Sequence, residues 1–207
     1  MQKINFEKVA EAAQKIESLK LDERRLGYLI SYPIYRDFFQ FWPLNAKSDF
    51  VIRAAIVYSW MPRVLIFREE KLGIAISSLK SLVEKMDEPR KEVATDHIAT
   101  ALNGSYVGAS KFLHFQYPDL FPMYDTNVYR HLNGIKDKKK QVYAEANKAS
   151  CYKSYRISVD EIVARADFEQ GILNPMNKYF RTRFQYEITP QRAVEFLIFE
   201  TYGGENT

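Results

Sequence analysis

The stretch from Leu102 to Leu132, LNGSYVGASKFLHFQYPDLFPMYDTNVYRHL, holds an amine and a carboxylate that could do covalent chemistry, Lys111 and Asp125. A lysine amine attacks an electrophilic carbon and forms a Schiff base when burial or nearby positive potential destabilises its ammonium form. A helix N-terminus supplies such potential, and Lys111 falls near one. A phosphate contact or a solvent-facing position explains this lysine equally well. Asp125 directly precedes a short helical run, Thr126 to Leu132, where an aspartate is a good N-cap with or without a chemical role.

The elements that must position these two residues are legible around them. Leu102-Asn103-Gly104 reads as a helix stop, because glycine adopts the left-handed conformation that closes a helix without a steric penalty. Gly108 follows, and Val107, Phe112, Leu113 and Phe115 recur at three- and four-residue spacings. That spacing predicts a helix from Tyr106 to Gln116, ended by Tyr117-Pro118. The segment is therefore helix, tight hairpin, helix, then an extended connection with two prolines and the Asp125-capped helix. A tight turn at a helix start points backbone N–H groups outward, where a phosphate is favoured, and needs small residues for close approach. Gly104, Ser105, Val107, Gly108 and Ser110 are the expected contacts, and an ordinary turn between two helices is the alternative.

This order of parts resembles the HhH-GPD superfamily of DNA base-excision glycosylases, whose signature is a helix-hairpin-helix, a loop of hydrophobic residues and prolines, and an Asp heading the next helix. FPMYDTNVYRHL is similar to the adenine-glycosylase form of that motif. VGASK, with Lys111 after the second glycine, looks more like the bifunctional branch of 8-oxoguanine glycosylases (OGG-like fold). The resemblance implies duplex DNA as partner, Lys111 as nucleophile at a sugar C1′, and Asp125 as the carboxylate that stabilises developing charge on the deoxyribose. It covers roughly 30 of 207 residues. Asn103 stands where the family hairpin has proline, and Lys111 comes three residues after Gly108, not two. From Lys111 to Asp125 is 14 positions, about one helical turn shorter than usual in the family.

Composition limits the other possibilities. A chain of 207 residues, 46% hydrophobic with 14 Tyr and 14 Phe, can bury a substantial core as one domain, 1–207, or as two closely packed helical lobes. The net charge of +4 and pI near 8.9 are compatible with an acidic polymer without requiring one. A single cysteine, Cys151, excludes an intramolecular disulfide and argues against a cysteine-ligated zinc or iron–sulfur cluster. His97, His114 and His131 form no metal-ligand pattern, so neither metal nor cofactor is expected. No apolar run reaches the length of a membrane span and Met1 to Lys20 lacks a signal-peptide core, so an intracellular protein in the cytoplasm or nucleoid is expected.

Elsewhere the pattern is helical throughout, predicting an all-α fold. Phe6, Val9, Ala13, Ile16 and Leu19 form one stripe. Asp22 to Trp42 is rich in aromatics, a core or a base-stacking surface, with Pro33 and Pro43 expected to break it into short pieces. Ser48 is the expected cap of a helix to Trp60, stopped by Pro62. Leu72 to Met86 and Lys91 to Leu102 follow, separated by an Asp87-Glu88-Pro89 turn. Beyond an Asn133-Gly134 turn, Lys136, Lys138, Lys139 and Lys140 read as a solvated helix start or a phosphate contact. Helices are expected over Gln141 to Cys151 and over Ser158 to Ala166, the second opened by a Ser158/Glu161 capping box. A loop is expected at Gly171 and Pro175, then a last helix opened by Thr189-Pro190 and ending at Gly203-Gly204.

Two functions compete on this reading. One is a glycosylase that flips a modified base and cuts its N-glycosidic bond, with or without lyase activity, in base excision repair. The other, favoured by the short Lys111 to Asp125 spacing, is a catalytically inactive DNA-binding relative in phage defence or modified-DNA sensing.

Overall fold

The computed structural model describes residues 3–42, 44–61, 63–137 and 139–203. Among them are eleven α-helices, and the only extended pairing is an isolated bridge between Phe67 and Leu102. The protein is all-α.

Helix α1 (Phe6–Gln14) is capped by the Asn5 side chain, which accepts from the Lys8 N–H, and buries Phe6, Val9 and Ala13. A 3₁₀ turn over Ile16–Ser18 follows. Helix α2 (Glu23–Phe41), capped by Asp22, runs without a break through Pro33, where the sequence predicts short pieces. Proline there leaves the Leu29 carbonyl without its helical donor. Packing outweighs that loss: Tyr32 and Phe39 are fully buried, and Phe39 meets Phe112 and Phe115 at ring-centroid distances of 5.7 and 5.5 Å. Pro43 and Pro62, the other expected breaks, lie outside the described residues. Helix α3 (Lys47–Ser59) takes its N-terminal restraint from Asp49, not Ser48. One Asp49 oxygen accepts from the Asn45 and Ala46 N–H groups, each at 2.9 Å.

Helices α4 (Glu69–Glu84) and α5 (Glu88–Ala101) form a packed pair. The expected turn at Asp87-Glu88-Pro89 is the start of α5: Asp87 is its N-cap, and Pro89 occupies the first turn, where no amide is needed. Helix α6 (Tyr106–Gln116) and helix α7 (Thr126–Leu132) have the predicted bounds. Lys136, Lys139 and Lys140 lie in a non-helical connection, and Lys138 is outside the described residues. A short α8 (Tyr143–Ala146) precedes α9 (Ala149–Val163), which contains Ser158 in its interior and not at a cap. The buried face of Tyr152, Tyr155, Arg156, Val159 and Ile162 continues past Ser158, so helical packing overrides the local capping signal.

Where a loop is expected, a π-helical turn over Glu169–Leu173 leads directly into α10 (Asn174–Phe184). Gly171 lies against α1, where a Cβ would make an ordinary contact with the Phe6 ring at 3.5 Å. Pro175 sits in the first turn of α10. Helix α11 (Pro190–Gly203) opens as predicted, with Thr189 Oγ1 accepting from Arg192 N–H.

Helix α6 is the axis of the molecule. Its Ala109, Phe112, Leu113 and Phe115 are fully buried, and α2, α3, α5 and α9 pack around it. α1 packs against α10, α11 and the π-helical turn that precedes α10. The chain ends are thus brought together on one side, with α7 and α9 also against α11.

Candidate functional site

The hairpin before α6 places two consecutive residues in the left-handed region, Asn103 at φ 57° and Gly104 at φ 64°. Asparagine tolerates that conformation better than most residues, and here its side chain also braces the turn. Asn103 Oδ1 accepts from Ile66 N–H at 2.8 Å and Nδ2 donates to the Val64 carbonyl at 3.0 Å. On the other side Asn147 donates to the Gly104 carbonyl (2.8 Å) and accepts from Tyr106 N–H (2.7 Å). Ser105 caps α6 by accepting from Gly108 N–H at 3.0 Å, and its hydroxyl lies 3.1 Å from that of Tyr143.

The hairpin residues therefore divide. Ser105 and Val107 line a cavity of about 560 Å³. Gly108 is buried beneath Tyr58, whose hydroxyl would stand 2.8 Å from an added Cβ. Ser110 is fully buried and ties α6 to the proline-containing connection: it lies within hydrogen-bond reach of the Val107 and Tyr124 carbonyls and accepts from Tyr124 N–H at 3.1 Å. Tyr124 is the neighbour of Asp125, so the Ser110 hydroxyl fixes the approach to that carboxylate from within the core.

Lys111, one residue along α6, and Asp125 line the same cavity. Asp125 caps α7, its Oδ1 accepting from Asn127 and Val128 N–H at 2.8 and 2.9 Å. Burial pushes the Lys111 amine below its ordinary value; the Asp125 charge opposes this, and Arg192 and Arg24 add to it. No ion pair within 4.0 Å joins Lys111 to a carboxylate among the described residues. An amine depressed by desolvation and kept short of full pairing has more of its nucleophilic form near neutrality than a surface lysine.

The rest of the lining suits a charged ligand with a planar part. Tyr28, Trp60 and Tyr143 supply aromatic faces, and Arg63 lies over the Tyr143 ring with its guanidinium carbon 3.6 Å from the centroid. Arg24, Arg25, Arg130 and Arg192 bring further positive charge, and Asp22, Glu195 and Glu200 join Asp125 as carboxylates. The aromatic stretch of α2 divides: Tyr32 and Phe39 are core, whereas Tyr28 lines the cavity.

Searches against family models, curated proteins and solved structures find no match.

The charged face of α11 is the part of the site that sequence reasoning missed. Val194, Phe196, Leu197 and Phe199 mark that helix as a core element, yet Arg192, Glu195 and Glu200 reach the cavity from it. The available signal was the placement of three charges within RAVEFLIFE, an otherwise apolar helix. Among the described residues, no group of three or more His, Cys, Asp or Glu side chains is arranged to hold a metal ion, and no helix is long and apolar enough to cross a membrane.

Proposed function

We propose that the chain is a DNA glycosylase of the helix-hairpin-helix type, which takes a modified base from duplex DNA into the cavity and cuts its N-glycosidic bond. The observation that carries this reading is that Lys111 and Asp125 line one cavity together with aromatic rings and arginines. In the proposed reaction the neutral Lys111 amine attacks C1′ of the deoxyribose. The C1′–N bond breaks, its electron pair leaves with the base, and the proton shed by the new secondary amine balances the one gained by the base. The sugar ring then opens, O4′ takes a proton, and C1′ becomes a Schiff base with Lys111. Water returns the free lysine and an abasic sugar, while elimination of the 3′ phosphate gives strand cleavage. Asp125 stabilises the positive charge on the sugar as the base departs. The arginines at the cavity meet the phosphates, so duplex affinity should fall steeply with salt.

A second reading, a catalytically inactive DNA binder in phage defence or modified-DNA sensing, is favoured by one observation. Asp125 Oδ1 accepts from two helix amides, a use of the carboxylate that needs no chemistry. The test is release of free base, followed by mass spectrometry, from duplexes carrying oxidised, alkylated or hypermodified bases. Release that is lost in Lys111→Gln supports the enzyme. Salt-dependent duplex binding without release from any substrate supports the binder.

A further inference from the structure

The extended segment from Val64 to Phe67, between α3 and α4, is hydrogen-bonded along one edge and open along the other. Its bonds to the hairpin come from alternate residues. The Val64 carbonyl accepts from Asn103 Nδ2, and Ile66 donates to Asn103 Oδ1 while its carbonyl accepts from Asn103 N–H at 3.2 Å. Arg68 N–H donates to the Ala101 carbonyl, also at 3.2 Å. In an extended chain successive residues turn their N–H and C=O groups to opposite edges, so Leu65 and Phe67 present theirs away from the hairpin. Neither has a backbone hydrogen bond among the described residues. The side chains of Leu65 and Phe67 pack on the core, whereas Val64 is 82% exposed and Ile66 61%. Proteins ordinarily blunt such an edge with charge or proline; this one carries the uninterrupted apolar run Val64-Leu65-Ile66-Phe67.

We propose that this edge is an interface with a second copy of the chain, the two segments pairing antiparallel about a twofold axis at Ile66. A free strand edge is completed by another extended backbone, and a twofold axis makes one edge its own complement. The register follows from where the extended conformation stops. With Ile66 on the axis, Leu65 of each copy opposes Phe67 of the other and each pair exchanges both of its bonds, so every outward backbone group of these residues is used. An axis at Leu65 would set Phe67 against Arg63, which is in a bend, and an axis at Phe67 would set Leu65 against Glu69, the first residue of α4. Charge agrees with this choice. The Ile66 axis brings Arg63 across from Glu69 of the second copy, opposite in sign, whereas the Phe67 axis sets Arg63 against Lys71. Ile66 then meets its counterpart, and Val64 lies across from the aliphatic stem of Arg68, which covers the exposed apolar pair. A contact this short is well below the roughly 20–30 residues a side of a standard interface, so the dimer dissociates on dilution. Arg63 also lines the cavity, which puts the second copy beside it.

The test is sedimentation equilibrium of the full chain without DNA from about 1 µM to about 1 mM, with amide hydrogen exchange followed by NMR at both ends of that range. A reversible monomer–dimer equilibrium is expected. Where nine-tenths of the chain is paired, the Leu65 and Phe67 amides should exchange about tenfold more slowly than in the monomer, while Ile66 and Arg68, bonded to the hairpin in either state, should change little. Val64→Lys and Ile66→Lys alter exposed side chains and place charge in the contact, so each should be monomeric across the range with an unchanged circular dichroism spectrum. A wild-type chain that stays monomeric overturns the proposal. So does a dimer whose Leu65 and Phe67 amides gain no protection, or one that persists in both folded lysine variants. The wild-type exchange pattern needs no substitution and decides the matter even where a variant fails to fold.

Discussion

Lys111 and Asp125 stand 14 positions apart, on α6 and at the cap of α7, and line one cavity in which the aspartate charge opposes the burial that lowers the lysine pKa. The Lys111 amine should therefore react with a small acylating reagent at lower pH than the exposed lysines of the same chain. Its folded value lies below 10.5, so below that pH the unfolded chain holds the extra proton more readily, and Lys111 opposes folding less as pH rises. Asp125→Asn removes a charge that favours the ammonium, so the reactive limb should move to still lower pH. Site-resolved labelling by mass spectrometry across pH measures both effects; a Lys111 profile matching the surface lysines would contradict them.

His114 provides a separate acid-sensitive element beneath the site. The Phe121 carbonyl can only accept, so His114 Nδ1 carries the proton at 2.6 Å and Nε2 accepts from the Tyr32 hydroxyl at 2.8 Å. Burial lowers the ring's pKa from 6.5 to about 3. Because the folded value is depressed, the contribution is fully present above 6.5 and is lost as pH falls toward about 3, at about 1.4 kcal/mol per pH unit at most. Denaturant titrations over this window should show a slope that His114→Gln flattens.

The pair Arg156 and Glu88 ties α9 to the start of α5 through two parallel bonds of 2.8 and 2.6 Å. Arg156 is 1% exposed, and its hydrogen bonds hold the half-exposed Glu88 carboxyl down at about 2. Glu88→Gln strands part of a buried guanidinium and should destabilise the fold by roughly 1–3 kcal/mol, after discounting for solvent screening at Glu88. The wild-type contribution is present above 4.5 and lost as pH falls toward about 2, so the difference between the two proteins should shrink in strong acid. Thermal melts at pH 7 and pH 3 check the sign.

The two hairpin glycines should respond differently to substitution. Gly104→Ala meets no neighbour and suffers only from its φ of 64°, about 1 kcal/mol. Gly108→Val drives Cβ against the Tyr58 hydroxyl inside the core and should cost about 1–3 kcal/mol. Loss of DNA affinity in Gly108→Val would then track loss of folded protein, as circular dichroism recorded alongside binding would show. Unchanged stability in Gly108→Val would contradict the packing described.

The bounds of α6 and α7, the Gly104 turn and the Asp125 cap were legible because local signals and tertiary packing agree there. They disagree at Pro33, Ser158 and Gly171. In each case a local breaker or cap signal is overruled by a buried face: Leu29, Tyr32 and Phe39 in α2, the tyrosines of α9, and Phe6 against the π-helical turn. Sequence pattern named Lys111 and Asp125, which are close along the chain. It missed Arg192, Glu195 and Glu200, because periodicity assigns an apolar helix to the core without saying which cavity its few charges reach.

The most direct test of the central claim is reduction with borohydride of the chain incubated with duplexes bearing oxidised, alkylated and hypermodified bases. A Schiff base between Lys111 and C1′ predicts a covalent protein–DNA adduct that peptide mass spectrometry maps to Lys111, and that vanishes in Lys111→Gln. Asp125→Asn keeps a good cap but loses the carboxylate charge, so adduct formation should slow by orders of magnitude, equivalent to about 3–4 kcal/mol in the barrier. An adduct mapped to another residue, or none on any substrate from a chain that binds duplex DNA, would contradict Lys111 as the nucleophile.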